Sequence, residues 1–292
     1  MNLSPMGTLA SKELGPLFEQ VRRVATAKGR ADTGLFAAEG RRLLERALRA
    51  GWVPHSVLLG EAAAREPELV ELLELWPVLG PAVRLVPDRA LLELAGGRHA
   101  GLVTTLFELP AGTALPVLLA QPAPVVFLVV VDVTEPGNVG ALIRTALACG
   151  AAGVICVGAT DPFHPKAVRT SLGSTFKLPL ARALPEELLA QLRAAGVHTL
   201  ATVAREGAAL HEAAWPRGSA AVFVGNESQG LGAHWRDGAD TRVSIDLSRA
   251  ADSFCVNAAA AICLYEVQRR LVAAAECHGS AAGSVNAAKN DP

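Results

Sequence analysis

The chain has 292 residues, 51% of them hydrophobic, with 27 basic against 28 acidic side chains and a formal net charge of −1. That balance excludes global disorder and any nucleic-acid binding driven by overall charge, and 4% aromatic content argues against aromatic stacking platforms for single-stranded RNA. The N-terminus has no apolar stretch of the secretory kind, and the longest apolar run, Val125 to Val131, is too short to span a membrane. The cysteines Cys149, Cys156, Cys255, Cys263 and Cys277 form no C-x-x-C pair and read as reduced, mostly buried thiols of a cytoplasmic protein.

In chain order, residues 1–11 read as a flexible arm. A helix is predicted over 12–30, a strand over 36–39, and a helix over 40–50 with Leu43, Leu44, Ala47 and Leu48 on one face. Strands follow at 57–59, 83–86 and 102–106, with helical stretches at 61–76 and 87–95 between them. Residues 12–109 thus form a small α/β domain. Its segment 20–49 gathers Arg22, Arg23, Lys28, Arg30, Arg41, Arg42, Arg46 and Arg49 against Asp32, Glu39 and Glu45. A phosphate-binding surface and a plain solvated helix face both remain open readings.

Pro and Gly at both ends mark 110–123 as a linker. From residue 124 the pattern changes. The continuous run Val125-Val-Phe-Leu-Val-Val-Val131 suits a strand buried on both faces of a parallel sheet. Helices at 138–149, 165–172, 185–195 and 253–275 are predicted around strands at 153–157, 176–180, 198–203, 220–224 and 242–246. The small, polar stretch 276–292 is expected to be disordered.

Three stretches carry chemistry. In Asp132-Val-Thr-Glu-Pro-Gly-Asn-Val-Gly-Ala-Leu-Ile-Arg-Thr-Ala146 the buried strand ends and a helix opens, the place where ligands bind in parallel sheets. Asn138 is expected to cap that helix. Arg144, nearly two turns later, is expected on a similar face, and an arginine on an apolar helix calls for an anionic partner such as an RNA phosphate. Val222-Phe-Val-Gly-Asn-Glu-Ser-Gln-Gly-Leu-Gly232 runs a strand into a glycine loop that is neither a Walker loop nor G-x-G-x-x-G, which speaks against nucleotide hydrolysis and dinucleotide-dependent oxidation. Val243-Ser-Ile-Asp-Leu247 leads to Ser253-Phe-Cys-Val-Asn-Ala-Ala-Ala-Ala261, where Ser253 is expected to cap the last helix.

Over about 124–270, these stretches together resemble the SpoU (TrmH) family of RNA ribose 2′-O-methyltransferases within the SPOUT class. Asp161-Pro-Phe-His-Pro-Lys-Ala-Val-Arg-Thr-Ser-Leu-Gly173 extends the likeness, and Phe36-Ala-Ala-Glu-Gly-Arg-Arg-Leu-Leu-Glu45 is similar to the L30e-like substrate-binding domain of rRNA-directed members. The resemblance implies an α/β fold: a parallel-sheet SPOUT domain at 124–275 with a deep trefoil knot, plus the smaller L30e-like domain. It also implies S-adenosylmethionine, held by Thr202, Val203, Gly225, Asn226, Gly230, Ile245, Leu247, Phe254 and Val256. By the same likeness Arg144, Asn138, Glu227 and Ser253 are catalytic, with Arg144 orienting or polarising the 2′-hydroxyl rather than acting as a base. The implied RNA-binding set is Arg22, Arg23, Lys28, Arg30, Arg41, Arg42 and Arg169. A homodimer through the C-terminal domain is implied, with no metal and no membrane.

Ribosomal RNA of the large subunit is the preferred substrate, with transfer RNA as the alternative. A housekeeping role and antibiotic self-resistance are both open. The chain departs from the family where Ser-Leu-Asn-Val-Ser is usual: it reads Ser253-Phe-Cys-Val-Asn257, and Asp246 replaces a usual proline. A shift of two positions turns a helical side chain by about 200°, so Asn257 is not expected to replace the missing amide, and a catalytically weakened RNA-binding protein is the second reading.

Overall fold

The computed structural model describes residues 11–76, 79, 82–94, 102–213, 218–248 and 250–285. Most of the expected N-terminal arm, and the end of the expected tail from residue 286, lie outside these. Two compact units emerge. One combines the described residues up to Ala111 with Asp161–Lys177, and the other combines Gly112–Thr160 with the described residues from Leu178 onward.

The first unit opens with α1 (Ser11–Arg23) and α2 (Ala27–Thr33), where one helix over 12–30 was expected. The break has a local cause. Thr26 takes extended dihedrals and its hydroxyl accepts from the Gly29 amide at 3.0 Å, which caps a new helix. Next come β1 (Leu35–Glu39), α3 (Arg41–Arg49), β2 (Ser56–Gly60), α4 (Pro67–Leu75), β3 (Val83–Val86), α5 (Asp88–Leu94) and β4 (Val103–Glu108). The stretch expected as a helix at 61–76 is a 3-10 turn over Ala63–Arg65 followed by α4, because Pro67 starts a fresh helix at its first position. The sheet order is β1-β4-β2-β3, with β2 and β3 parallel and β4 antiparallel to both its neighbours. Leu43, Leu44, Ala47 and Leu48 are buried, as the helical periodicity of α3 predicts.

In the second unit, α6 (Leu115–Leu119) precedes β5 (Val126–Val131), which is buried along its whole length. Then follow α7 (Pro136–Ala148) and β6 (Gly153–Val157). The chain next contributes α8 (Pro165–Thr170) to the first unit, where Phe163 and Phe176 join Phe36, Trp52 and Phe107 in an aromatic cluster with ring centroids 5.0–6.2 Å apart. The residues predicted as a strand at 176–180 therefore begin as a 3-10 turn over Ser174–Phe176, and pairing starts later, in β7 (Leu180–Ala183). The remaining elements are α9 (Pro185–Ala194), β8 (His198–Thr202), β9 (Ala208–Ala209), β10 (Ala220–Val224), α10 (Ala233–Gly238), β11 (Thr241–Ser244) and α11 (Val256–Val285). The seven strands run parallel in the order β7-β6-β5-β10-β8-β11-β9. The last helix continues to Val285, ten residues past the expected end and into the stretch expected to be disordered; helix propensity does not explain this, since the added residues include Gly279, Ser280, Gly283 and Ser284. It packs on α7, β5 and β10.

The cysteines divide by environment. Cys156 and Cys263 are buried, and burial pushes the Cys263 thiol up to about 12, so it stays protonated. Cys255 is exposed, against the expectation of mostly buried thiols.

Candidate functional site

The site begins where β5 ends. Asp132 adopts a left-handed φ of 50°, unusual for a residue with a side chain. Two hydrogen bonds hold it there. Its carboxylate accepts from the Ala159 amide at 3.0 Å, and its carbonyl accepts from Asn226 Nδ2 at 3.0 Å. The loops after β5, β6 and β10 are thereby tied together at the carboxyl ends of their strands.

The helix cap of α7 is Glu135, not Asn138: its Oε2 accepts from the Asn138 amide at 2.6 Å, with Pro136 in the first helical position. Asn138 is thus the third helical residue, and its side chain is released for other work. Its Nδ2 donates to Glu227 Oε1 at 2.8 Å, and its Oδ1 accepts from Asn257 Nδ2 at 3.0 Å. Three segments far apart in sequence meet in this chain of amides and a carboxylate.

Arg144 lies on the exposed side of α7 and has no hydrogen-bond or ion-pair partner among the described residues. The expectation that it shares a face with Asn138 is corrected by helical geometry, since six residues leave the two about 120° apart around the axis. Exposure also removes the argument that burial forces an anionic partner on it. Ser253 is exposed and lies three residues before α11. Cys255, whose carbonyl accepts from the Ala259 amide at 3.0 Å, takes the cap position expected of Ser253.

The residues expected to hold a cofactor fall mainly at the ends of three adjacent parallel strands, β10, β8 and β11. Thr202 closes β8 and donates its hydroxyl hydrogen to the Phe223 carbonyl at 2.7 Å; the Val203 amide bonds the Val243 carbonyl at 2.9 Å. Gly225 follows β10 and is buried. A Cβ there would stand 2.4 Å from the Gly230 carbonyl carbon and oxygen and 2.5 Å from the Leu231 nitrogen, all backbone atoms. Gly230 holds a left-handed φ of 65° and bridges back to Asn226. Besides tying Asp132, the Asn226 side chain accepts from the amides of Ser228 and Gln229, so its polar atoms are committed to the loop. Ile245 and Leu247 are half-buried in the segment after β11, Phe254 is 41% exposed, and Val256 opens α11.

Residues 125–265 match the model of the SpoU rRNA Methylase family, and residues 16–86 match that of the MRM3-like substrate binding domain. A 23S rRNA (uridine(2479)-2′-O)-methyltransferase of Streptomyces viridochromogenes is 32% identical over 83% of this chain and 85% of its own length. The chain belongs to the SpoU rRNA methylase family. Another SpoU relative, the 23S rRNA (guanosine(2553)-2′-O)-methyltransferase RlmP of Bacillus subtilis, is 29% identical over 85% of this chain and 94% of its own. Among solved structures, the AdoMet-bound rRNA methyltransferase of Sinorhizobium meliloti superposes with a TM-score of 0.79 at 28% identity, covering 91% of this chain and 98% of that one. The α/β fold with a parallel-sheet SpoU domain agrees with the expectation from sequence.

The basic residues expected to bind RNA in this SpoU protein divide sharply. Arg30 is 3% exposed; it is paired with Asp161 and donates to the Val24 carbonyl at 2.7 Å. Arg169 pairs with Glu39 at 2.9 Å. Arg30 is thus enclosed within the first unit, whereas the Arg169 side chain keeps 34% of its surface exposed. Beside them, His164 caps α8 by accepting the Lys166 amide at 3.1 Å, and its pKa is held below the usual histidine value by burial first and by Arg30 second. Arg23 reaches Asp32 at 3.4 Å and Arg41 reaches Glu66 at 4.0 Å, both near the surface. Arg22, Lys28 and Arg42 are exposed with no ion pair among the described residues. Sequence reasoning missed Asp132 and Asn257. Asp tolerates a positive φ better than most residues, so Asp132 after the buried strand offers a weak signal, and the amide at 257 is itself visible in the sequence.

Proposed function

We propose that the chain transfers a methyl group from S-adenosylmethionine to a ribose 2′-hydroxyl of ribosomal RNA, with 23S rRNA as the substrate. One observation carries this reading. The carboxyl ends of β8, β10 and β11 lie side by side, and at Gly225 the loop backbone approaches so closely that a single Cβ would collide with it. Such a cradle suits a nucleoside held by backbone groups rather than by side chains. Thr202, Val203, Gly225, Ile245, Leu247, Phe254 and Val256 would hold the cofactor, which when bound supplies an electrophilic methyl on a sulfonium.

This chain's residues then have distinct tasks. Arg144, exposed and with no ion pair among the described residues, would grip a phosphate and polarise the ribose hydroxyl. Asn138 and Glu227 order the loop opposite it, and Ser253 contacts the substrate. Arg22, Lys28 and Arg42, with Arg23 and Arg41, supply phosphate contacts in the first unit. The names of the relatives favour 23S rRNA. The same reading has a threaded C-terminus, supported by β10 pairing between β5 and β8 while α11 packs on α7, β5 and β10. It has a homodimer, supported by exposed Ile262, Tyr265 and Val272 on α11, an apolar face that a second copy would cover; a cytoplasmic location belongs to the same reading.

Incubation with methyl-labelled cofactor and ribosomal RNA, followed by mapping of modified riboses, tests the activity. Label on a 23S ribose is expected, and absence of label on any RNA would reject the reading. In the same preparation, Gly225→Ala should weaken cofactor binding at least about tenfold by calorimetry, because its new methyl meets backbone that cannot swing aside.

A further inference from the structure

We infer that Asn257 is a positioning residue for methyl transfer: it orients Asn138 and, through it, the Glu227 carboxylate. The inference rests on the methyltransferase reading above. The direction of the hydrogen-bond chain follows from chemistry. An ionised carboxylate can only accept, so Glu227 requires Asn138 to present Nδ2, at 2.8 Å. The Asn138 Oδ1 must then face the other way, where it needs a donor, and Asn257 Nδ2 supplies one at 3.0 Å. A serine hydroxyl, usual here in the family, is shorter, and the cysteine at 255 is exposed and stands outside the helix.

The helix start explains how the amide can serve from its shifted place. Since α11 begins at Val256, Asn257 lies in its first turn, while residue 255 precedes it, so the 200° rotation between two helical positions does not apply. The Asn257 Oδ1 is buried without a hydrogen-bond partner among the described residues, an arrangement that packing alone gives no reason to keep.

The test uses the full chain, ribosomal RNA and single-turnover methylation. Asn257→Ala should slow transfer about tenfold with cofactor affinity unchanged, while the lost hydrogen bond lowers the melting temperature by only a few degrees. Asn257→Asp keeps the size but removes the donor. It should slow transfer further, because its carboxylate competes with Glu227 for the one amide of Asn138. Asn257 and Glu227 share no hydrogen bond among the described residues, so a merely structural Asn257 predicts that their losses multiply; the inference predicts that Asn257→Ala adds nothing once Glu227→Ala is present. Wild-type rates in Asn257→Asp, or multiplied losses in the double variant, would overturn the inference and leave the function standing. An unsubstituted protein that transfers no methyl overturns both.

Discussion

Arg144→Ala should reduce single-turnover methyl transfer by about a thousandfold, roughly 4 kcal/mol of transition-state stabilisation, while leaving stability within about 0.5 kcal/mol. Both halves follow from the position of the side chain. Arg144 is exposed on α7 and has no ion pair or hydrogen bond to lose among the described residues, so truncation removes no internal contact. A residue that costs nothing to the fold yet everything to the reaction is engaged with substrate. Guanidinium groups are poor general bases, which argues against simple proton abstraction. In the proposed mechanism it contributes a planar pair of donors that would fix a phosphate and withdraw charge from the hydroxyl as the new bond forms. Arg144→Lys keeps the charge and loses the fork, so it should recover only part of the rate. Phosphate gripping also predicts weaker RNA binding in the Ala variant and a shallower salt dependence. Wild-type transfer by Arg144→Ala would remove this residue from the mechanism.

Much of this site was legible because its signals are local. The β-branched run of β5 announces a doubly buried parallel strand, and all six of its residues are buried. The glycine-rich run after β10 reads as a loop, and there Gly230 takes a left-handed φ of 65° while Gly225 packs tightly against the Gly230 and Leu231 backbone. What escaped depends on partners distant in the chain. The cap of α7 was assigned to Asn138 by residue preference, although Pro136 in the first helical position pointed to residue 135. Phe176 read as strand because it is apolar, yet it serves an aromatic cluster built on Phe36, Trp52 and Phe107. The basic segment 20–49 looked like one surface. Its Arg30 is committed to Asp161, 131 residues away, and no periodicity encodes such a pairing.

That pairing sets the largest expected effect on stability. Asp161→Ala should destabilise the first unit by about 3–5 kcal/mol, measured by denaturant unfolding, because it strands a guanidinium that is 3% exposed. The Val24 carbonyl, at 2.7 Å, satisfies one donor of Arg30 but carries no compensating charge. For a unit whose total stability is of order 5–15 kcal/mol, this is a large share. Asp161 also accepts from the Phe163 amide at 3.1 Å, so its loss loosens the turn that seats Phe163 against Phe36. The cost belongs to the uncompensated charge rather than to the missing contact, and a second substitution separates the two. Replacing Arg30 with Met and Asp161 with Asn removes both charges at similar volume, keeps an acceptor for the Phe163 amide, and should restore most of the lost stability. If the double variant is as unstable as Asp161→Ala, the ion pair itself holds Asp161–Lys177 in the first unit. If Asp161→Ala alone is neutral, Arg30 is not the buried anchor described above and returns to the set of cations open to RNA.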